Sequence, residues 1–184
     1  MRIDVVFAGL GGQGLMTMGQ ILATAAMKEG RLASYLPSYS PEVRGGWANC
    51  TVVISDRSIG SPTVGQPSTL VALESTALRK HAPTVAAGGL ILVNASLATE
   101  PVGRDDVRVL SIPAAEMAAE LGDERAANSI MLGAYVAATG AVKLASLAAA
   151  IREQLRTRPH LIDLNLTALD RGVARVDSEA PEVA

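Results

Sequence analysis

The chain has 184 residues, of which 49% are hydrophobic and 18% are charged, and its formal net charge is -2. This composition is typical of one folded domain with a sizeable core, and it excludes an intrinsically disordered chain. The near-neutral charge and the 3% of aromatic residues argue against a nucleic-acid-binding protein that relies on basic patches and base stacking.

Apolar runs rich in β-branched residues predict six strands, and apolar residues at helical spacing predict six helices. In chain order, the first predicted elements are a strand at 3–8, a helix from residue 15 that stops at Gly30, and a strand at 32–36. After an irregular segment, strands are expected at 50–55, 69–73, 90–94 and 107–112, with a short helix ending near Pro83 between the second and third of these. Further helices are expected at 113–122, 126–141, 144–156 and 159–169.

The alternation of strands and helices determines the predicted fold class. Most of the predicted strands are continuously apolar, which is typical of a parallel sheet covered on both faces. We therefore predict an α/β fold, Rossmann-like and doubly wound, with a mostly parallel sheet in a single domain over residues 1–176 and a flexible tail at 177–184. The chain lacks the pattern of a secretory signal and any apolar stretch near the roughly 20 residues of a membrane span, so a cytoplasmic location is expected.

The turn after the first predicted strand reads GLGGQG. Backbone N–H groups of such a turn, at the N-terminus of a helix, favour a phosphate or carboxylate. The ligand-binding candidates here are Gly9, Gly11, Gly12, Gln13 and Gly14. A dinucleotide site also needs an acidic residue at the end of the second strand, and no acid occurs between Arg31 and Pro41. A ligand-binding loop and a tight connection that binds nothing therefore remain equal alternatives.

The segment PSYSPEVRGG, at residues 37–46, is polar between apolar strands and holds two prolines and two glycines, which predicts an irregular loop throughout. Three of the five aromatic residues of the chain, Tyr35, Tyr39 and Trp47, lie in or beside it. These features predict a docking loop at the carboxyl edge of the sheet, where α/β proteins bind ligands. The alternative is a solvated surface loop whose ion pair contributes little. The ligand or interface candidates in this segment are Tyr39, Glu42, Arg44, Gly45 and Gly46.

Three segments carry a resemblance to a known family. They read GLGGQGLMTMGQILATAA, YSPEVRGGWANCTVVIS and NSIMLGA, the last over Asn128–Ala134. In their order and spacing the chain resembles the gamma subunit, or gamma domain, of the 2-oxoacid:ferredoxin (acceptor) oxidoreductases over about residues 3–175. Ser40 stands where glycine is common, and serine is also a good turn residue. Asn128 is interpreted as a helix N-cap, with a contact to the glycine loop as the alternative that the family context suggests.

The resemblance implies a non-catalytic subunit of an enzyme of the pyruvate, 2-oxoglutarate or ketoisovalerate type. Such enzymes oxidatively decarboxylate a 2-oxoacid, transfer the acyl group to coenzyme A and reduce ferredoxin. The implied partners are alpha and beta (thiamine-binding) subunits and a ferredoxin-like iron–sulfur subunit or domain, which carry thiamine diphosphate, magnesium and the clusters. The gamma part itself carries no cofactor and no catalytic or metal-binding residue, has a role in assembly or in coenzyme A access, and is inactive alone.

The remaining reactive residues agree with that interpretation. Cys50 is the only cysteine, whereas a thiolate cluster site normally takes four, and we expect Cys50 to be a buried structural thiol. Two other hypotheses stay open at this point. One is a stand-alone NAD(P)-binding Rossmann oxidoreductase, and the other is an assembly protein whose glycine turn binds no ligand.

Overall fold

The computed structural model describes residues 1–39 and 46–178. All twelve predicted elements are present in this part of the chain. The strands are β1 (Arg2–Leu10), β2 (Leu32–Tyr39), β3 (Trp47–Ser55), β4 (Thr69–Ala72), β5 (Leu90–Asn94) and β6 (Arg108–Ile112). The helices are α1 (Leu15–Lys28), α2 (Ser75–His81), α3 (Ala114–Glu120), α4 (Ala127–Thr139), α5 (Leu144–Gln154) and α6 (Ile162–Asp177).

The six strands form one sheet in the order β2-β3-β1-β4-β5-β6. Strands β1, β4, β5 and β6 pair in parallel, whereas β3 runs antiparallel to both β1 and β2. The prediction of a mostly parallel α/β sheet is therefore confirmed, with β3 as the exception. Because β3 lies between β1 and β2, the second strand is one position further from β1 than in the dinucleotide-binding order.

Both faces of the sheet bury apolar side chains, which explains why the parallel strands are continuously apolar. One core cluster joins alternate residues of the strands to the helices α1, α3, α4, α5 and α6. Its largest side chains, Phe7 and Tyr135, meet edge to face with their ring centroids 5.9 Å apart. A smaller cluster on the opposite face joins β1, β4 and β5 to α2 and the 3₁₀ turn Ala82–Thr84.

The irregular loop predicted from residue 37 begins later than expected. Strand β2 continues through Pro37 and ends at Tyr39, with Pro37 opposite Cys50 of β3. The prediction is wrong for these three residues because β2 is the edge strand of the sheet. An edge strand needs no N–H group on its outer side, so it tolerates proline.

The last helix is longer than predicted. The segment at 159–169 forms the 3₁₀ turn Pro159–Leu161 and then α6, which continues through Asp177. The domain boundary at residue 176 and the flexible tail remain predictions, because residues 179–184 lie outside the described part of the chain.

Helices α4 and α6 cross with their backbones in close contact. Gly133 of α4 lies against the backbone of Leu169, and Gly172 of α6 lies against the carbonyl of Ile130. A glycine in a helix interior costs about 1 kcal/mol relative to alanine. Here the two missing Cβ atoms permit a close approach, which places α6 alongside the first turns of α4.

Candidate functional site

The glycine loop, defined here as residues 9–14, connects β1 to α1. Gly12 and Gly14 have φ angles of 93° and 75°, a left-handed conformation that favours glycine. The side chain of Gln13 folds back into the loop, where its Oε1 accepts a hydrogen bond of 2.7 Å from the N–H of Leu10. Gln13 thus stabilises the turn that brings the chain from strand to helix.

The three glycines of the motif make room for other parts of the protein. A Cβ on Gly9 would overlap the Gln13 amide oxygen, and a Cβ on Gly14 would overlap the Asn128 amide nitrogen. A Cβ on Gly11 would lie 3.3 Å from the carbonyl oxygen of Gly46. Internal contacts therefore account for the glycines at these three positions.

The end of the docking loop lies directly against the glycine loop. The N–H of Gly11 donates a hydrogen bond of 2.9 Å to the carbonyl of Gly46. Next to it, the ammonium group of Lys80 lies 3.0 Å from the centre of the Trp47 ring. Tyr39 is 64% exposed at the other end of the loop, so the structure brings Gly46, but not the Tyr39 side chain, into the glycine-loop contacts. The candidates Glu42, Arg44 and Gly45 lie outside the described residues.

Asn128 lies in the first turn of α4 and faces the glycine loop. The helix begins at Ala127, after the N-cap Ala126, and no side chain caps it. The interpretation of Asn128 as an N-cap is therefore wrong. Its amide nitrogen occupies the space that the missing Cβ of Gly14 leaves, as the family-based alternative anticipated.

Helix α1, which follows the glycine loop, begins without a side-chain cap, because its N-cap residue is Gly14. Helix α4 directly continues the 3₁₀ turn Glu124–Ala126, and the Asp123 carboxylate caps that turn by accepting a hydrogen bond of 3.0 Å from the N–H of Arg125. Likewise, the carboxylate of Glu74 accepts hydrogen bonds from Thr76 and Ala77 at the start of α2, at 2.7 and 2.6 Å. Uncapped N-terminal N–H groups attract anions, so an anion is favoured at α1, whereas the carboxylates of Glu74 and Asp123 disfavour one at α2 and before α4.

A pocket of about 540 Å³ opens beside the starts of α1 and α4. Its apolar lining comes from α1, α4, α5, α6 and the segments that follow β4 and β5, and its polar lining includes Gln13, Asn94, Asp123, Glu124, Arg125, Asn128 and Arg158. The guanidinium of Arg158 has no ion pair with any described residue. A cavity of this size that combines apolar walls with polar side chains is typical of a small-molecule site.

Of the sequence candidates, Gly12, Gln13, Gly14 and Asn128 line this pocket. Sequence reasoning missed Asn94, which ends β5 and is 3% exposed. The available signal was an asparagine at the carboxyl end of the apolar run LILVN, the edge where parallel sheets hold ligands. Arg158 was also missed, because nothing in its local sequence distinguishes it from other surface arginines.

The described residues contain no group of three or more His, Cys, Asp or Glu side chains able to hold a metal ion. Within the same residues, no helix is long and apolar enough to cross a membrane. Burial, followed by the charge of Lys80, lowers the pKa of His81, which favours the neutral imidazole at the end of α2.

Cys50 is fully buried beneath α1, and its thiol donates a hydrogen bond of 3.3 Å to the carbonyl of Leu15. The expectation of a buried structural thiol is confirmed. Burial raises the pKa of Cys50 from 9.0 to about 12, and the thiol form therefore persists in the folded chain at neutral pH.

The thiol of Cys50 should make the chain sensitive to alkali. A pKa raised by folding contributes stability below the unfolded value, and that stability is lost as the pH rises towards the folded value. Burial also raises the pKa of Tyr35, from 10.0 to about 12, and that of Tyr135, so in the interval from pH 9.0 to 10.0 Cys50 makes the largest single contribution. Across this interval the contribution of Cys50 to the free energy of unfolding should fall with a mean slope of about 1 kcal/mol per pH unit. Urea titrations should show a slope smaller by this amount in Cys50→Ala than in the wild type, and equal slopes would contradict the assignment.

Comparison with known proteins identifies the family. The sequence profile described as pyruvate ferredoxin/flavodoxin oxidoreductase matches residues 4–175. The chain belongs to this family. The gamma subunit of a keto/oxoacid ferredoxin oxidoreductase from Geobacter sulfurreducens superposes on this family member with a TM-score of 0.84 and 32% identity, over 96% of the chain and 99% of the subunit. The resemblance to gamma subunits noted in the sequence is confirmed.

Two curated relatives show how the family arranges this domain. Ketoisovalerate oxidoreductase subunit VorA of Methanothermobacter thermautotrophicus is 43% identical over 173 residues, which are 93% of this chain and 36% of VorA. This chain thus spans about a third of that relative. The 2-oxoglutarate synthase subunit KorC of Methanothermobacter marburgensis is 35% identical over 179 residues, 94% of this chain and 95% of KorC.

Proposed function

We propose that the chain is the gamma component of a 2-oxoacid:acceptor oxidoreductase complex that oxidatively decarboxylates a 2-oxoacid to an acyl-CoA. Family membership over residues 4–175 carries this proposal. In it, alpha and beta subunits hold thiamine diphosphate and magnesium, and a ferredoxin-like subunit or domain holds iron–sulfur clusters. The chain contributes no catalytic residue, is inactive by itself, and works in the cytoplasm.

The proposed contribution of this chain is a scaffold with a part of the coenzyme A site. The pocket beside the uncapped start of α1 supports this role, since the dipole of this helix favours an anion there. Arg158 would add a cation to the same pocket. Arg44 is proposed to contact a coenzyme A phosphate. Glu42 is proposed to orient Arg44 or to bind a neighbouring subunit. Both residues lie outside the described part of the chain.

The position of β3 argues against the alternative of a stand-alone NAD(P)-binding Rossmann oxidoreductase. In a dinucleotide site, the strand next to β1 ends beside the ribose and supplies an acidic residue. Here the neighbour of β1 is β3, which begins at this edge with Trp47 opposite Leu10. The start of β3 and Gly46 thus occupy the side of the glycine loop where a ribose would lie.

The proposal predicts which subunits form a complex with the chain. A tagged chain isolated without oxygen from its own cells should co-purify with thiamine-binding and iron–sulfur subunits. The isolated assembly should reduce a viologen dye when given a 2-oxoacid and coenzyme A, and the chain alone should not. Testing pyruvate, 2-oxoglutarate, branched-chain and aryl 2-oxoacids in turn would identify the substrate. Recovery of the chain only as a monomer or homodimer would contradict the proposal.

A further inference from the structure

The polar end of the pocket contains a buried acceptor that the protein itself does not use. Among the described residues that line the pocket, Asn94 Oδ1 is the buried side-chain polar atom without a hydrogen-bond partner. Asn94 is almost completely removed from solvent, since only 3% of its surface is exposed. A buried, unpaired acceptor costs about 1–3 kcal/mol, so a ligand that supplies a donor would recover that free energy.

The orientation of the Asn94 amide follows from its neighbour. Its Nδ2 points to the carbonyl oxygen of Leu73 at 3.5 Å. A carbonyl only accepts hydrogen bonds, and the reversed amide would bring two acceptor oxygens together. The free atom is therefore the oxygen, and the missing partner is a donor.

This acceptor lies close to the groups that attract an anion. Leu73, which holds the Asn94 amide, also packs beside Gly9, where a Cβ added to the glycine would lie 3.1 Å from the Leu73 Cβ. Gly14, the uncapped start of α1, lines the same pocket as Asn94. The pocket thus offers the N–H groups of the first turn of α1 together with the unfilled acceptor of Asn94.

We infer that Asn94 determines ligand specificity: the pocket takes a ligand that carries an N–H or O–H donor next to an anionic group. The anionic group faces the start of α1, and the donor binds Asn94 Oδ1. This inference rests on the proposed function, because coenzyme A combines phosphates with ribose hydroxyls and amide N–H groups. Inorganic sulfate meets only the first requirement, since it is an anion without a donor.

The test compares coenzyme A with sulfate on the full chain and on the complex that co-purifies with it. In Asn94→Ala, calorimetry should show about tenfold weaker binding of coenzyme A, while the Kd for sulfate stays at the wild-type value. The isosteric Asn94→Asp adds a negative charge next to the anion, and it should weaken coenzyme A further at low salt. Tyr135→Phe, which deletes a buried hydroxyl outside the pocket lining, is the control and should bind coenzyme A as the wild type does.

The outcomes separate this inference from the proposed function. Wild-type affinity for coenzyme A in both folded Asn94 variants would overturn the role of Asn94 and leave the coenzyme A site standing. An equal loss of sulfate and coenzyme A binding would also overturn it, because Asn94 would then only shape the pocket. Failure of the wild-type chain and complex to bind coenzyme A would overturn the proposed coenzyme A site and the inference together.

Discussion

Gly133→Ala should destabilise the chain by about 3 kcal/mol, although alanine is the better helix former by about 1 kcal/mol. The new Cβ would overlap the carbonyl oxygen of Leu169 on α6. Backbone atoms cannot rotate away as a side chain can, so α4 and α6 must separate. Gly172→Ala, on the facing helix, should have a similar effect through the carbonyl of Ile130. Urea denaturation monitored by circular dichroism measures both changes.

Gly60→Ala is the matched control, because a Cβ at Gly60 meets nothing within 4 Å. It should leave the free energy of unfolding within about 0.5 kcal/mol of the wild type. The double variant at 133 and 172 should cost less than the sum of the single variants, since the first separation of the helices makes room for the second Cβ. Single variants as stable as the wild type would contradict the close crossing of α4 and α6.

Gly14→Ala should destabilise the chain by about 3 kcal/mol, of which only part reflects the backbone conformation. A residue with a Cβ at a φ of 75° costs about 1–2 kcal/mol. The rest arises because the Cβ would overlap the amide nitrogen of Asn128. Adding Asn128→Ala should recover that second part, and a double-mutant cycle should show a coupling of about 1–2 kcal/mol.

Gly12→Ala separates the two contributions. Gly12 also has a positive φ, of 93°, but its Cβ would meet nothing within 4 Å. We expect a loss of about 1–2 kcal/mol that Asn128→Ala does not rescue. Rescue of both glycine variants, or of neither, would show that Asn128 does not occupy the space beside Gly14.

Much of the fold could be predicted from local sequence signals. Apolar runs bounded by glycine and proline located all six strands, and helical spacing located all six helices, because burial on one or both faces imposes these patterns. The antiparallel direction of β3 was not predictable in this way. The direction of a strand depends on its pairing with residues far away in the sequence. An apolar run by itself does not distinguish a parallel strand from an antiparallel one. The inclusion of Pro37 in β2 was also not predictable, because it depends on β2 being the edge strand of the sheet, which local sequence does not indicate.

The sequence by itself determined the family, the α/β class and the position of the glycine loop, because these depend on residues that are neighbours in the chain. Only the tertiary structure decided what the loop contacts. Gly14 and Asn128 are far apart in the sequence, and Asn94 at the end of β5 reaches the loop through Leu73, which follows β4. Such contacts arise where the carboxyl ends of parallel strands lie next to the starts of two helices. No local sequence pattern predicts which of these ends become neighbours. The unpaired acceptor on Asn94 likewise exists only in the folded chain, because water satisfies the hydrogen bonds of an amide in the unfolded chain.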